Sequence, residues 1–359
     1  SNKNLELVTS STFPPTQDQN LKETTPEQGS TNVCKKPASN RENQPTMVSE
    51  VDHDIADLES NISRVLLGKP ETVRLAVITL LAEGHLLIED VPGVGKTLLA
   101  RAMARSVNGR FCRIQFTPDL LPSDIVGSSI FNSNRSEFSF SQGPLFANIV
   151  LADEINRTPP RTQSALLEAM NDRQVSVDGT THALPDPFFV IATQNPYEFE
   201  GTYLLPESQL DRFLMCIRIG YPDREEEMNV LTSHRTGEPV DQLEPVIDSS
   251  SLVNLQKKVR EIRVEKSINE YILDVVDATR HAPEISVGIS PRGSLALYRA
   301  AQSLAMLEQR DYVIPDDVKQ LAIPVLSHRL ILHTYQAERH TEAAQTVMQH
   351  LLDDITVPS

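Results

Sequence analysis

No run of 18 or more apolar residues occurs in this chain, so no membrane-spanning helix is expected. The opening Ser1-Asn2-Lys3-Asn4 leads into no apolar segment of the kind a secretory signal needs. Met47, just ahead of the first globular patterning, reads as a candidate start. Cysteine is scarce. Cys34, Cys112 and Cys216 lie far apart and form no CxxC pair, so neither a zinc site nor a disulfide framework is expected, and a reducing cytoplasm is the simplest compartment. His182, His234, His281 and His328 show no ligand spacing such as HExxH, which leaves a metal-dependent hydrolase acting without nucleotide poorly supported. Basic charge is also short. There are 33 Lys and Arg against 49 Asp and Glu, a formal net charge of -16. That disfavours a sequence-independent grip on nucleic acid, which needs a basic face. The cluster Lys257-Lys258, Arg260 and Arg263 stands at helical spacing and reads as a solvated face. No internal repeats are visible.

What is present is 359 residues, enough for two domains and a tail. Residues 1–50 are rich in Ser, Thr, Asn, Gln, Pro and Lys and are expected to be a disordered tail. From Asp54 the pattern changes. Ile55, Leu58, Ile62, Val65 and Leu66 recur at helical spacing, and a second helix is expected from Pro70 to Ala82. His85 to Glu89 reads as a buried strand running into a Gly-rich loop. Leu98, Leu99, Ala102, Met103 and Val107 then mark a helix. Further strands are expected over 111–116, 149–152, 188–193 and 214–219, with a helix over 161–172. Short apolar strands alternating with helices predict an α/β fold with a parallel sheet covered on both faces.

After Tyr221-Pro222 the strands stop. Asp223 with Glu226, and Ser267 with Glu270, resemble capping boxes. Ser290 with Pro291 opens a third helix, and Val318, Leu321, Ala322, Val325 and Leu326 continue the helical pattern. The expected organisation is a tail over 1–50, an αβα domain over 51–222, a small all-helical domain over 223–332, and an amphipathic helix within 333–359. Ala344, Val347, Met348, Leu351, Leu352 and Ile355 form the apolar stripe of that last helix, which is expected to pack on its own chain.

Five short motifs carry the chemistry. In Pro92-Gly93-Val94-Gly95-Lys96-Thr97-Leu98, Gly93 and Gly95 lack a Cβ, so backbone N–H groups can curl around phosphate oxygens. Lys96 adds a positive charge, Thr97 offers a hydroxyl to Mg²⁺, and the following helix aims its positive end at the same anion. Gly68 and Lys69 are included among the nucleotide-binding candidates. The usual GxxxxGK[ST] pattern has Gly where this chain has Asp90. Asp153 and Glu154 end an apolar strand, and adjacent carboxylates there need a cation or a water to act on. Asp153 is expected to hold Mg²⁺, and Glu154 to polarise the attacking water. Asn195, ending the next apolar strand, is positioned to sense the γ-phosphate. Arg212 and Arg292 supply forks suited to phosphate oxygens. Together these predict an ATP site with Mg²⁺ and with Glu154, Asn195, Arg212 and Arg292 as catalytic residues.

The motifs Glu89-Asp90-Val91-Pro92-Gly93-Val94-Gly95-Lys96-Thr97, Arg113-Ile114-Gln115-Phe116-Thr117-Pro118, Asp153-Glu154-Ile155-Asn156-Arg157, Ala192-Thr193-Gln194-Asn195-Pro196 and Leu210-Asp211-Arg212-Phe213 resemble the AAA+ ATPases and, within them, the MoxR family. The resemblance covers about residues 52–332. It implies a P-loop NTPase αβα sandwich with a five-stranded parallel sheet, followed by a helical lid. It implies a homo-hexameric ring with ATP between the two, Arg212 acting in trans and Arg292 in cis as a second sensor. It also implies two inserted hairpins facing the pore, around 124–143 and 175–182, the second turning at Asp178-Gly179. Gln115 is expected beside the acidic strand, restraining Glu154 until a partner binds. The family implies chaperone-like remodelling or maturation of protein clients alongside von Willebrand factor A domain proteins, and nothing in the sequence names the client. Two alternatives stay open. One is an ATP-dependent binding switch with little hydrolysis, against which Glu154 and Arg212 argue. The other is a nucleic-acid motor of the same superfamily, against which the net charge argues.

Overall fold

Proline, glycine and apolar alternation set the elements of the sheet-bearing half. In the computed structural model, which describes residues 47–133, 136–196, 201–203, 205–233, 237–333 and 340–358, the first helix α1 spans Met47–Ser63. The tail expected over 1–50 lies outside the described residues up to 46, and so does His234. Helix α2, Pro70–Leu81, opens on a proline whose missing N–H costs nothing in a first turn. Then follow β1 Leu86–Glu89, α3 Lys96–Ser106, β2 Phe111–Gln115 and α4 Pro122–Val126. A first hairpin is β3 Gly127–Asn132 with β4 Glu137–Gln142. Next are β5 Ile149–Asp153, α5 Pro160–Asp172, a second hairpin of β6 Gln174–Val177 and β7 Thr180–Ala183, then β8 Phe189–Gln194, α6 Glu207–Leu210 and β9 Met215–Ile217. The second hairpin turns on Asp178 (φ 51°) and Gly179 (φ 78°), the positive pair a tight two-residue turn requires.

Strands β2-β5-β8-β1-β9 pair in that order, all parallel. Successive side chains point to opposite faces. Leu86, Ile88, Ile149, Leu151, Ile191 and Ile217 join one buried cluster with residues of α2 and α3. Leu87, Val150, Ala152, Val190, Ala192 and Cys216 join a second with Leu166, Leu167 and Met170 of α5. Burial on both faces is why these strands read as apolar runs. Because the strands run in parallel, their C-terminal ends share one edge, and residues that precede strands stand at the other.

The helical half comprises α7 Arg224–Ser233, α8 Ser249–Val259, α9 Lys266–His281, α10 Pro291–Leu307, α11 Pro315–Leu326 and α12 His340–Asp354, with a short ribbon of β10 Ile285–Val287 and β11 Ile331–Leu332. That ribbon corrects the expectation of a strand-free domain: it joins Ile285 to Leu332, both buried, in segments too short to show alternation. The Asp223 and Glu226 box forms reciprocally. The Asp223 N–H donates to Glu226 Oε2 (2.7 Å) and the Glu226 N–H to Asp223 Oδ1 (2.8 Å). The Ser267 and Glu270 pair does not form a box. Glu265 is the N-cap of α9, and Glu270 turns to Lys266 at 3.1 Å. Helix α12 buries Ala344, Met348 and Leu352 and packs against α9 and α11.

The helical half docks on the last turn of α2. Gln256 Nε2 donates to the Leu80 carbonyl (2.7 Å) and Ser303 Oγ to the Ile78 carbonyl (2.9 Å), adding side-chain donors to carbonyls in the last turn of the helix. Since α2 leads directly into the start of β1, this docking puts helical-half residues near the edge where the strands begin.

Candidate active site

Glycine geometry opens the phosphate loop. Gly93 (φ 88°) and Gly95 (φ 100°) adopt the left-handed backbone that side chains resist, and Gly95 caps α3. A Cβ built on Gly93 meets nothing within 4 Å, so it would project into open space. That space is a cavity of about 520 Å³ lined by Pro92, Gly93, Val94, Gly95, Lys96, Thr97 and Leu98, and by Lys69, Arg113, Gln115, Asp153, Glu154 and Asn195. The volume suits a ligand of nucleotide size. Three of the five motifs therefore converge from the C-terminal edge of the sheet. Lys69 Nζ donates to the Tyr221 carbonyl (2.8 Å) and stands 3.5 Å from Glu226. Gly68 does not line the cavity. Its φ is +72°, and a Cβ there would strike the Glu226 side chain at 2.1 Å.

Asp90, the departure from the usual glycine, is buried and fully engaged. Its Oδ1 accepts from the Val91 N–H (2.8 Å), and its Oδ2 from the N–H groups of Ile219 (2.8 Å) and Gly220 (2.7 Å). The side chain thus ties the start of the phosphate loop to the chain leaving β9. Lys96 Nζ donates to the Asp90 carbonyl (2.5 Å). Burial pulls the Lys96 ammonium below the ordinary lysine value, and Asp90, Asp153 and Glu154 oppose that shift.

The acidic pair is held from below by Thr193. The Thr193 hydroxyl donates to Asp153 Oδ1 (2.6 Å) and accepts from the Glu154 N–H (2.9 Å). Glu154 sits at φ 57°, ψ 50°, a strained conformation for a residue with a side chain. Arg113 donates to Asp153 Oδ2 from Nε (3.1 Å) and Nη2 (2.6 Å), and to Gln115 Oε1 (3.0 Å). Gln115 Nε2 donates to Glu154 Oε2 (2.9 Å), which also lies 3.1 Å from Arg157 Nε. Both carboxylates are thus matched by cations of their own chain. Sequence reasoning passed over Thr193, Arg113 and Arg157 as site residues. The signal available was spacing: positions 113 and 115 of one strand point the same way, and 115 stands in register with Asp153.

The donor set suits magnesium. The Thr97 hydroxyl and the Asp153 carboxylate are hard oxygen donors, few enough to leave the remaining positions to water and phosphate. Among the described residues no group of three or more His, Cys, Asp or Glu could form an all-protein metal cage.

Two family models match: the ATPase family associated with various cellular activities over residues 85–215, and the AAA lid domain over 277–351. Chaperone MoxR1 of Mycobacterium tuberculosis is 44% identical over 306 residues, covering 83% of this chain and 80% of that protein. This chain belongs to the MoxR family of AAA+ ATPases. YeaC of Bacillus subtilis is 52% identical over 298 residues, covering 83% of this MoxR-family chain and 93% of YeaC. A crystal structure of a candidate ATPase from Cytophaga hutchinsonii aligns with a TM-score of 0.80 at 36% identity, covering 87% of this chain and 97% of that one. The lid match runs past residue 332 and takes in most of α12.

Two arginines of the MoxR motifs stand away from the cavity. Neither Arg212 nor Arg292 is among its lining residues. Arg212 precedes β9, at the edge where the strands begin, and its guanidinium has no ion-pair partner among the described residues. Arg292, exposed in the first turn of α10, donates to Asn171 Oδ1 near the C-terminal end of α5. That end also lies at the starting edge, because His85 Nε2, just ahead of β1, donates to the Met170 carbonyl (3.1 Å). A sheet of strands three to six residues long separates the two edges by about 10–20 Å. Arg292, expected to act in cis, does not line the cavity of its own chain in this structure. The physical reason is the docking of the helical half on the end of α2.

Of the histidines, His182 stacks on Phe140 at 4.0 Å, linking the two hairpins, and His281 pairs with Asp277 at 3.3 Å. His328 Nε2 donates to the Phe213 carbonyl (3.2 Å). Arg260 pairs with Glu83 at 2.6 Å and Arg263 with Asp311 at 3.0 Å, so these two members of the basic cluster have acidic partners.

Proposed function

We propose that this protein hydrolyses ATP with Mg²⁺ in a homo-hexameric ring and uses the cycle for chaperone-like remodelling or maturation of protein clients in the cytoplasm, alongside a von Willebrand factor A domain protein. One observation carries the reading. The phosphate loop, the acidic pair and Asn195 line one cavity, while Arg212 and Arg292 face the opposite edge. A site so divided is completed between subunits, with both arginines serving the ATP of a neighbour. Lys96 and the loop N–H groups bind the phosphates, and Thr97 and Asp153 hold the metal. Bound Mg²⁺ neutralises charge developing on the phosphate oxygens. Glu154 orients and deprotonates the attacking water once Gln115 and Arg157 release it, and Asn195 senses the γ-phosphate. The two hairpins face the pore, with Phe131 and Phe138 exposed at 53% and 73% on the first.

A nucleic-acid motor fits poorly with a charge of -16 and with the pairing of Arg260 and Arg263 to acids. A nucleotide-dependent switch has one observation in its favour, the occupation of both site carboxylates by cations of the same chain. The Glu154→Gln variant separates the two readings. Loss of a general base slows turnover about 10²–10⁴-fold while ATP still binds. Equal turnover in the variant and the parent would refute hydrolysis at this site, and ATP-dependent assembly with negligible parental turnover would establish the switch.

A further inference from the structure

The segment bearing Arg212 is clamped by the helical half. Arg329, in the 3₁₀ turn Ser327–Arg329 that follows α11, is only 6% exposed. Its Nη1 donates to Asp211 Oδ1 (2.9 Å), its Nε to the Val325 carbonyl (2.9 Å), and its Nη2 to the carbonyls of Phe213 and, at 3.5 Å, Leu214. Asp211 also accepts from Ser290 Oγ, at 3.2 Å to Oδ2 and 3.4 Å to Oδ1. Ser290 in turn caps α10 by accepting from the Gly293 N–H (3.3 Å). One carboxylate therefore stands next to Arg212 in the chain and bonds to the cap of the helix whose second residue is Arg292.

A buried guanidinium is tolerated only when paired and hydrogen-bonded, which makes this arrangement specific rather than interchangeable. Burial pushes Arg329 down to about 10. Asp211 opposes the shift, and the like charge of Arg292 adds to it. An ammonium offers one compact charge where the planar fork meets acceptors on several sides at once.

We propose that Arg329 is a positioning residue for catalysis between subunits. Its fork fixes Asp211 and the 213–214 carbonyls, and through Ser290 the start of α10, so that Arg212 and Arg292 meet the γ-phosphate held by a second copy of this chain at a set spacing. The inference rests on the reading that both arginines serve a neighbour.

The test mixes variants before assembly. Arg329→Lys alone is expected to bind a fluorescent ATP analogue with parental affinity, since its phosphate loop is at the other edge, and to lose turnover about 10–100-fold from misplaced arginines. Lys96→Ala lacks a working loop but keeps its arginines. Mixed in equal amounts, the two recover about a quarter of the parental rate, because half the sites are competent and half of those face intact arginines in a head-to-tail ring. Ser290→Ala, which removes only the bridging hydroxyl, is expected to lose less turnover than Arg329→Lys, about five- to tenfold, and so to rise towards a quarter of the parental rate in the same mixture. Arg212→Ala mixed with Lys96→Ala is the control. Recovery in the control without recovery in the Arg329→Lys or Ser290→Ala mixtures overturns the positioning role, as does parental turnover in Arg329→Lys alone. No recovery in the control overturns the neighbour reading itself, and the positioning role falls with it.

Discussion

Replacing Asp90 with glycine brings the phosphate loop to the usual GxxxxGK[ST] pattern, and the protein is expected to lose stability as a result. The carboxylate accepts three backbone N–H groups, those of Val91, Ile219 and Gly220. The Ile219 N–H is buried, so leaving it unpaired costs about 1–3 kcal/mol, while each of the other two, which water can reach, contributes about 0.5–1.5 kcal/mol. Glycine adds backbone entropy to the unfolded chain, worth about 0.5–1 kcal/mol. The sum is about 2.5–7 kcal/mol, read by urea denaturation of nucleotide-free protein. At about 2–4 °C per kcal/mol the melting temperature falls by about 5–28 °C. Asp90→Asn retains one acceptor and is expected to fall between glycine and the parent. A glycine variant within about 1 kcal/mol of the parent would refute the reasoning, because three charge-assisted bonds cannot vanish at that cost.

Gln115→Ala removes one of the two groups engaging Glu154 Oε2. Basal ATP turnover is expected to rise about two- to fivefold, in proportion to one hydrogen bond of about 0.5–1 kcal/mol, and unchanged basal and stimulated rates would remove the restraint. His85 is buried and neutral, its Nδ1 accepting from the Val190 N–H (3.1 Å) and its Nε2 donating to Met170, and burial lowers it from 6.5 to about 4. The unfolded chain takes up a proton near pH 6.5 and the folded one does not, so stability is full above that pH and declines as pH falls towards 4. The loss reaches about 3 kcal/mol, and denaturation at pH 7 and pH 4.5 should show a smaller difference in His85→Gln than in the parent.

Much of the fold was legible because burial on two faces writes apolar runs. The strand read at 85–89 is β1 at 86–89, and the one read at 188–193 is β8 at 189–194. The Asp178-Gly179 turn and the Asp223 and Glu226 box were also readable, since each depends on residues within four positions. What could not be read depends on distance in the chain. Asp90 looks like a defect in a motif until Ile219, 129 residues away, is seen to donate to it. The ribbon of β10 and β11 is too short to show a period. Arg292 sits in its predicted helix, yet its edge of the molecule depends on Gln256 and Ser303 meeting the end of α2, and no local pattern encodes that docking.

The central claim is that one chain's phosphate cavity needs another chain's arginines. The most direct measurement is ATP turnover per chain with Mg²⁺ as protein concentration is varied, with sedimentation at each concentration. Turnover that climbs steeply as single chains assemble, and that is lost where sedimentation shows single chains alone, is the predicted result. Undiminished turnover by isolated single chains would contradict the account.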